Sequence, residues 1–233
     1  MTRHELKEQL QHDHFTDAVS DVVTYALSNR KRLIRWTVIA VLVIILAGGA
    51  LWFAAYKRSI RQQALAEALH IIETPVGASS QVPNSYPTQD AKQQAEIKAL
   101  SDMVAKYGGT REGLIAQYYL GTVKVERKDS KGAESDLHRV ADSKSDFAPL
   151  AKIALAQLYA GENRIPEAKA LLQGIANKPS DLVSKAQADI LLAQLDLTTN
   201  PQEAKKILQS LRTPTQRPSV SRAVDQLSGQ LTR

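Results

Sequence analysis

Residues 151–172 read AKIALAQLYAGENRIPEAKALL, and this stretch decides the fold. Its apolar residues recur at intervals of three and four, first up to Gly161 and again after Pro166, which predicts two helices joined by a short turn. Proline suits the start of the second helix, because the N–H that it lacks would have no partner there. The stretch therefore predicts a helical hairpin.

This hairpin pattern returns along the chain. An Ala and a Leu four residues apart mark its second helix, with spacings of 35 and 36 residues between copies, and a Leu followed by Gly or Ala marks its first helix, with spacings of 35 and 37. These pairs are Ala133 and Leu137, Ala168 and Leu172, Ala204 and Leu208, and Leu120–Gly121, Leu155–Ala156 and Leu192–Ala193. A period near 34 residues is typical of tetratricopeptide-type hairpins, in which small residues let paired helices approach closely.

We therefore predict an all-α fold in which residues 108–233 form a tetratricopeptide-like α-hairpin solenoid, ending in a capping helix near residues 219–231. One departure from the standard repeat concerns the aromatic residue that is usual late in the first helix. Tyr159 fills this position in one repeat, whereas Lys124 and Asp196 stand there in the neighbouring repeats. An ordinary helical bundle is the alternative fold.

Residues 36–56, WTVIAVLVIILAGGALWFAAY, form a run of 21 residues without a charge. A helix of that length measures about 31 Å, which matches the hydrocarbon core of a bilayer. Trp36, Trp52 and Tyr56 suit the two membrane interfaces. We predict a single transmembrane helix. The alternative is a cleaved signal peptide, whose apolar core would be shorter.

The basic residues that flank this span favour one orientation weakly. Four of them lie between Arg30 and Arg35, and three follow the span at Lys57, Arg58 and Arg61. The positive-inside rule then places the N-terminus in the cytoplasm and the 177 residues after the span outside it. Both basic clusters also suit attraction to anionic membrane lipid. The absence of Cys fits either side of a membrane.

Two further segments complete the predicted organisation. The N-terminal segment, 1–35, carries an apolar stripe between Phe15 and Leu27 and is predicted to form an amphipathic helix. Residues 57–107 read as a helix that leaves the membrane, a Pro- and Ser-rich loop and a second helix, which together would make an irregular first hairpin.

Composition argues against several classes of function. The net charge is +6, divided as +1 for residues 1–35 and +5 for residues 57–233, and no window concentrates Lys and Arg with aromatic residues as nucleic-acid binding would require. The sequence contains no Gly-rich phosphate loop, no HExxH motif, no nucleophile elbow and no Cys. We therefore predict that the chain is not an enzyme and holds no cofactor or metal.

A protein partner is expected on the first helix of each repeat. If Gly121, Ala156 and Ala193 are the packed small positions, six neighbouring residues are predicted to face a partner groove. These candidates are Tyr118, Thr122, Ile153, Gln157, Ile190 and Gln194. For Tyr118, Ile153 and Ile190, packing in the core is the alternative.

The order of these parts, together with the stretch KYGGTREGLIAQYYLG at residues 106–121, resembles the ancillary SecYEG translocon subunit family (YfgM-like) of bacterial inner-membrane proteins. The resemblance implies a periplasmic repeat domain that associates with export-channel subunits, periplasmic chaperones or exported chains, and it implies no catalysis. The alternative function is an oligomeric envelope scaffold or spacer without a client-binding role. The sequence leaves the oligomeric state open.

Overall fold

The computed structural model describes residues 30–77, 85–212 and 217–231. Within these ranges it contains nine helices and no strand, apart from an isolated bridge between Val76 and Tyr86. The prediction of an all-α fold is confirmed. The helices are α1 Arg30–Glu73, α2 Gln89–Tyr107, α3 Arg111–Glu126, α4 Ser130–Ala141, α5 Ala148–Gly161, α6 Ile165–Asn177, α7 Lys185–Thr199, α8 Pro201–Ser210 and α9 Pro218–Leu231. The amphipathic helix predicted between Phe15 and Leu27 lies outside the described residues.

The chain divides into two compact units after Ser59. In the first unit, α1 is the one helix of the described residues that is long and apolar enough to cross a membrane. None of its most apolar 18-residue window is buried, whereas a core helix of a soluble protein would be mostly buried. Near the end of this apolar part the rings of Trp52 and Tyr56 stack with centroids 5.9 Å apart, and Lys57 Nζ lies 4.7 Å from the centre of the Phe53 ring. Such a helix suits a membrane span or a signal sequence.

The second unit is an array of helical hairpins. Helices α3 and α4, α5 and α6, and α7 and α8 pair as hairpins, and each hairpin packs on the next through its neighbouring helices. Helix α9 packs on α7 and α8 at the end of the array, where the sequence predicted a capping helix. The prediction of a tetratricopeptide-like hairpin solenoid is confirmed by these stacked helices.

The recurring small and large residues form the centre of each hairpin. Ala133, Ala168 and Ala204 are fully buried, and the Leu four residues after each of them is buried as well. The paired helices approach closely at Gly121, where an added Cβ atom would lie 2.7 Å from Leu137 Cγ. Side-chain size therefore sets how closely the paired helices pack.

The turns inside the hairpins also repeat. Lys128 and Asn163 stand 35 residues apart, between the paired helices of the first two hairpins, and both have a φ of 62°. In the third hairpin Asn200 alone separates α7 from α8, and its side chain caps α8 by accepting from the Glu203 N–H at 3.3 Å. Proline lies in the first turn of both α6 and α8, as predicted.

An additional pair of helices precedes the three hairpins. In the second unit, Leu65 and Ala68 of α1 belong to the same apolar cluster as Leu100 and Met103 of α2. Lys92 Nζ of α2 also donates a 2.6 Å hydrogen bond to the carbonyl oxygen near the end of α1, at Ile72. Apolar packing and one polar bond thus join these two helices.

Candidate protein-binding surface

The six predicted groove residues fall into two groups. Gln157 and Gln194 are exposed, and Thr122 is partly exposed. Ile153 retains only 8% of its exposure, and Tyr118 and Ile190 are partly buried against apolar clusters. Gln157 and Gln194 therefore present their side chains to solvent, Thr122 does so in part, and the other three residues pack.

Helix geometry explains this division. Successive residues of an α-helix are turned by about 100°, because one turn contains about 3.6 residues. Thr122, Gln157 and Gln194 each follow the packed small residue by one position, so they point about 100° away from the helix contact. The other three candidates precede the small residue by three positions and lie only about 60° from that contact. The position after the small residue is therefore the one that faces outward.

Tyr118, the largest of the three packed candidates, shows what these packed positions contribute to the fold. The Tyr118 ring meets the edge of Phe147 at 5.6 Å and that of Tyr119 at 5.3 Å between centroids. Burial raises the pKa of the Tyr118 hydroxyl above its ordinary value. Its ring therefore serves the core of the first two hairpins.

A cleft of 390 Å³ lies between α5, α6 and α7. Both exposed glutamines line it, Gln157 from α5 and Gln194 from α7, although they belong to successive repeats. The remaining lining residues are Ala156, Ala160, Ile165, Leu172, Leu191, Leu195 and Thr198. The structure thus brings two of the predicted site residues together in one concavity.

A second cleft of 510 Å³ adjoins the first one, between α3 and α5. Thr122 and Val125 line it from α3, and Gln157 lines it from α5. Its rim carries the charged residues Glu126, Lys128 and Glu162. Because Gln157 belongs to both clefts, Thr122, Gln157 and Gln194 mark one strip across the first helices of three repeats. We call this strip, with its two clefts, the glutamine strip.

Polar contacts between repeats were not predicted from the sequence. The Tyr159 hydroxyl donates a 2.7 Å hydrogen bond to Glu134 Oε1, and Arg164 Nη1 reaches the same oxygen at 3.1 Å. Since the single hydrogen of that hydroxyl is used, His138 Nε2, 2.7 Å from the Tyr159 oxygen, must donate to it. The Arg164 guanidinium lies 3.8 Å above the Tyr159 ring. Tyr159, which fills the usual aromatic position of its repeat, thus joins α5 to α4 of the repeat before it.

Ionisation at this contact follows from its geometry. The hydrogen bond from Tyr159 lowers the pKa of Glu134 below its ordinary value, although burial acts in the opposite direction. Burial, with the bond to the Glu134 carboxylate, raises the pKa of Tyr159 to about 12. At neutral pH the carboxylate is therefore charged and the phenol is neutral, which is the pair of states that the hydrogen bond requires.

Within the described ranges, no group of three or more His, Asp or Glu side chains could hold a metal ion. His138 instead has two ionisable neighbours, Glu134 on its own helix and Asp142 just after the end of that helix, each 3.9 Å away. Its ring serves the contact between repeats described above.

Stacked helical hairpins with an open strip across their first helices define a repeat protein of the protein-interaction class. The family model described as a tetratricopeptide repeat-like domain matches residues 31–229, and the chain belongs to that family. No curated protein and no solved structure matches the chain. Domains of this kind typically act as interaction modules without catalysis, and that function class fits the geometry.

Proposed function

We propose that this protein is a single-pass, membrane-anchored interaction module that assists protein export at the bacterial inner membrane. Residues 36–56 cross the membrane, the N-terminal segment 1–35 lies in the cytoplasm, and the repeats at 108–233 work in the periplasm. Residues 57–107 connect the span to the repeats. The partners are subunits of the SecYEG channel, periplasmic chaperones or exported chains.

The glutamine strip is the observation that carries the binding role. Its two clefts adjoin at Gln157 and cross the first helices of successive repeats, so one bound chain can contact all three hairpins. Repeat arrays bind their partners on such extended surfaces. Thr122, Gln157 and Gln194 are therefore the contact residues that we assign to it.

Support for anchoring comes from the apolar part of α1. Transferring it from water into lipid is favourable because its apolar side chains are uncovered and it carries no charge between residues 36 and 56. The stacked pair Trp52 and Tyr56 lies at the end of this part, where the membrane interface would be. Four basic residues before the span and three after it support a cytoplasmic N-terminus.

The export role is supported by the order of segments and by residues 106–121, which resemble the ancillary SecYEG translocon subunits. A periplasmic repeat domain tethered beside the channel would meet chains and chaperones as export proceeds. The tether raises the local concentration of the repeats there, so even weak binding to each chain would suffice.

Topology is tested with single cysteines, since the natural sequence has none. Ser28→Cys reports the N-terminal segment, and Ser135→Cys reports an exposed position on α4. An impermeant thiol reagent added to intact cells after opening of the outer membrane should label the Ser135→Cys variant alone. Labelling of the Ser28→Cys variant alone would show the opposite orientation. Recovery of a shortened soluble chain would show that the apolar segment is a cleaved signal peptide and not an anchor.

Partnership is tested by photo-crosslinking in living cells, with a photoreactive phenylalanine analogue in place of Gln157 or Gln194. The matched control is Gln173, which is exposed on α6 and lines neither cleft of the strip. Export-channel subunits, chaperones or exported chains should be captured from the two strip positions and not from the control. Capture of cytosolic proteins only, or equal products from all three positions, would contradict the proposal.

A further inference from the structure

The cleft between α5 and α7 has apolar walls made of aliphatic residues only. These are Ala156, Ala160, Ile165, Leu172, Leu191 and Leu195. The other three lining residues, Gln157, Gln194 and Thr198, are neutral and polar. A charged occupant would lose its hydration here without gaining a counter-charge, so the lining favours an uncharged and aliphatic occupant.

The hollow exists because α5 carries small residues on this side. Ala156 is buried at its base, and Ala160 is partly exposed one helical turn later. Across the cleft Leu191 and Leu195 stand one turn apart on α7. The volume of 390 Å³ lies within the range of pockets that bind small groups, about 300 to 1,000 Å³. An incoming side chain can therefore fill the space beside Ala160.

The two glutamines add a polar edge that matches a polypeptide. Each side-chain amide offers donors and an acceptor, and neither Gln157 nor Gln194 spends them on a hydrogen bond to another described residue. A peptide group in an extended chain needs one donor and one acceptor, and strands bound in grooves satisfy them in this way. A lipid tail has no such groups, and a nucleic acid would need cations that this cleft lacks.

The adjoining cleft extends the path and changes its chemistry. Beyond Gln157 the lining includes Glu126, Lys128 and Glu162. A chain that crosses both clefts thus meets an uncharged pocket and then one in which charged side chains accompany apolar ones such as Val125 and Leu158. This difference in charge makes the α5–α7 cleft the place for a side chain that carries no charge.

From these observations we infer that the α5–α7 cleft binds an aliphatic side chain of an extended polypeptide segment, while Gln157 and Gln194 hydrogen-bond to the peptide groups on either side. The inference rests on the proposed binding role of the glutamine strip and names its substrate class, which is an unfolded or extended apolar segment.

The test uses the full-length protein in lipid nanodiscs and fluorescent peptides of about ten residues, which extend over roughly 33 Å. The peptides consist of Ser and Asn with one central Leu, and in a matched peptide Asp replaces the Leu. Fluorescence anisotropy should show binding at least about tenfold tighter for the Leu peptide, since burial of one Leu side chain contributes an amount of that order. Methylation of the peptide nitrogen after the Leu should weaken binding, because it removes a donor to the glutamines.

Two sets of variants locate the binding. Ala160→Leu fills the cleft from its partly exposed edge and should weaken Leu-peptide binding about tenfold, whereas Ala170→Leu, at an exposed position of α6 outside the cleft, should leave it unchanged. Thermal melting checks that both variants fold. Gln157→Ala with Gln194→Ala provides a second test that leaves the apolar walls intact, with Gln173→Ala as its control.

Equal binding of the Leu and Asp peptides, or undiminished binding by a folded Ala160→Leu variant, would overturn the inference. Its failure is distinguishable from failure of the export role. If export-channel subunits are crosslinked in cells but the Leu peptide shows no preference, only the substrate class is wrong. If the Leu peptide binds in the cleft but no export component is crosslinked, only the export role is wrong.

Discussion

The Tyr159 hydroxyl of α5 bonds to Glu134 of α4 at 2.7 Å, and in the next repeat the same two positions hold Asp196 of α7 and Lys169 of α6, which form an ion pair. The donor Tyr159 lies on the first helix of its repeat, whereas the donor Lys169 lies on the second helix. Each contact joins the first helix of a repeat to the second helix of the repeat before it. The array thus keeps the contact while exchanging its chemistry, which fixes how successive hairpins stack.

Loss of the Tyr159 hydroxyl should loosen this contact. Tyr159→Phe keeps the buried ring but removes the bond to Glu134 and the acceptor for His138, and we expect a loss of about 1.5 to 3 kcal/mol in the free energy of unfolding. Urea unfolding of the protein in nanodiscs measures it. Tyr119→Phe is the matched control, because the Tyr119 hydroxyl has no hydrogen bond to any described residue. Equal stability of the two variants would contradict the role of the contact.

The same contact predicts a dependence of stability on pH at both ends of the range. The folded-state pKa of Glu134 lies below 4.5, so its contribution is complete above about pH 4.5 and is lost as the pH falls through that lower pKa. The folded-state pKa of Tyr159 is raised from 10.0 to about 12, so its contribution is complete below pH 10 and is lost as the pH rises toward 12.

Tyr159→Phe removes the titrating phenol and the main cause of the lowered pKa of Glu134. Its unfolding free energy should therefore fall less steeply than that of the wild type between pH 10 and 12, and also less steeply on the acid side. Chemical unfolding at a series of pH values measures both slopes. Parallel curves for the two proteins over the whole range would show that this contact does not set the pH dependence.

The sequence predicted the hairpins but not the contacts between them, and the reason is physical. Close helix packing requires a small residue at a fixed place in every repeat, so Gly121, Ala156 and Ala193 recur and reveal the period. A polar contact requires only that its two partners be complementary. Glu134 and Lys169 carry opposite charges at equivalent positions, so a comparison of repeats with one another scores them as unrelated.

The candidate surface shows a similar division. Exposure of Gln157 and Gln194 follows from their place one residue after a small packed position, and the sequence alone indicates it. The cleft between them could not be predicted, because its space is left by Ala160 on one repeat and bounded by Leu195 on another. That arrangement depends on how two hairpins stack, which local periodicity does not specify.

The ion pair between Lys169 and Asp196 should be important for stability. Asp196 keeps only 4% of its exposure, and after Lys169→Ala its carboxylate would retain only the 3.1 Å bond from the Thr199 hydroxyl among the contacts described. Leaving a buried charge without its partner costs about 3 to 5 kcal/mol. Urea unfolding of the variant measures the loss.

Lys206→Ala is the control for that variant. Lys206 pairs with Glu203 at 3.4 Å, but its side chain is 74% exposed, so its removal should change the unfolding free energy by less than about 0.5 kcal/mol. If Lys169→Ala lowered the unfolding free energy no more than the control, water would be solvating the Asp196 carboxylate in place of Lys169.

The turn at Lys128 offers a stabilising substitution. A φ of 62° is unfavourable for Lys, whereas Asn adopts it more readily and stands in the equivalent turn at Asn163. Lys128→Asn should therefore raise the unfolding free energy by up to about 1 kcal/mol. Lys205→Asn, at an exposed position inside α8, should instead lower the unfolding free energy by about 0.5 kcal/mol, because Asn is a weaker helix former than Lys. A loss of stability in Lys128→Asn would show that the Lys side chain itself contributes to the turn.

Gly121 and Gly174 separate close packing from helix propensity. Both are helical, and replacement of Gly by Ala favours a helix by about 1 kcal/mol. At Gly174 a new Cβ atom would meet nothing within 4 Å, so Gly174→Ala should raise the unfolding free energy by up to that amount. At Gly121 the Cβ atom would lie 2.7 Å and 2.8 Å from the Cγ and Cδ2 atoms of Leu137, which is fully buried and cannot withdraw into solvent. The overlap should outweigh the propensity gain and leave a net loss of about 1 to 2 kcal/mol.

Thermal and urea unfolding of the two variants side by side would decide between the two effects. If Gly121→Ala were as stabilising as Gly174→Ala, α3 and α4 would have room to separate, and the Gly at this position would not be needed for packing. If it destabilises as expected, Gly121→Ala combined with Leu137→Val should recover part of the loss, because the smaller Val side chain lacks the Cδ2 atom that meets the new methyl group. Such partial recovery would show that direct contact between these two residues sets the spacing of the first hairpin.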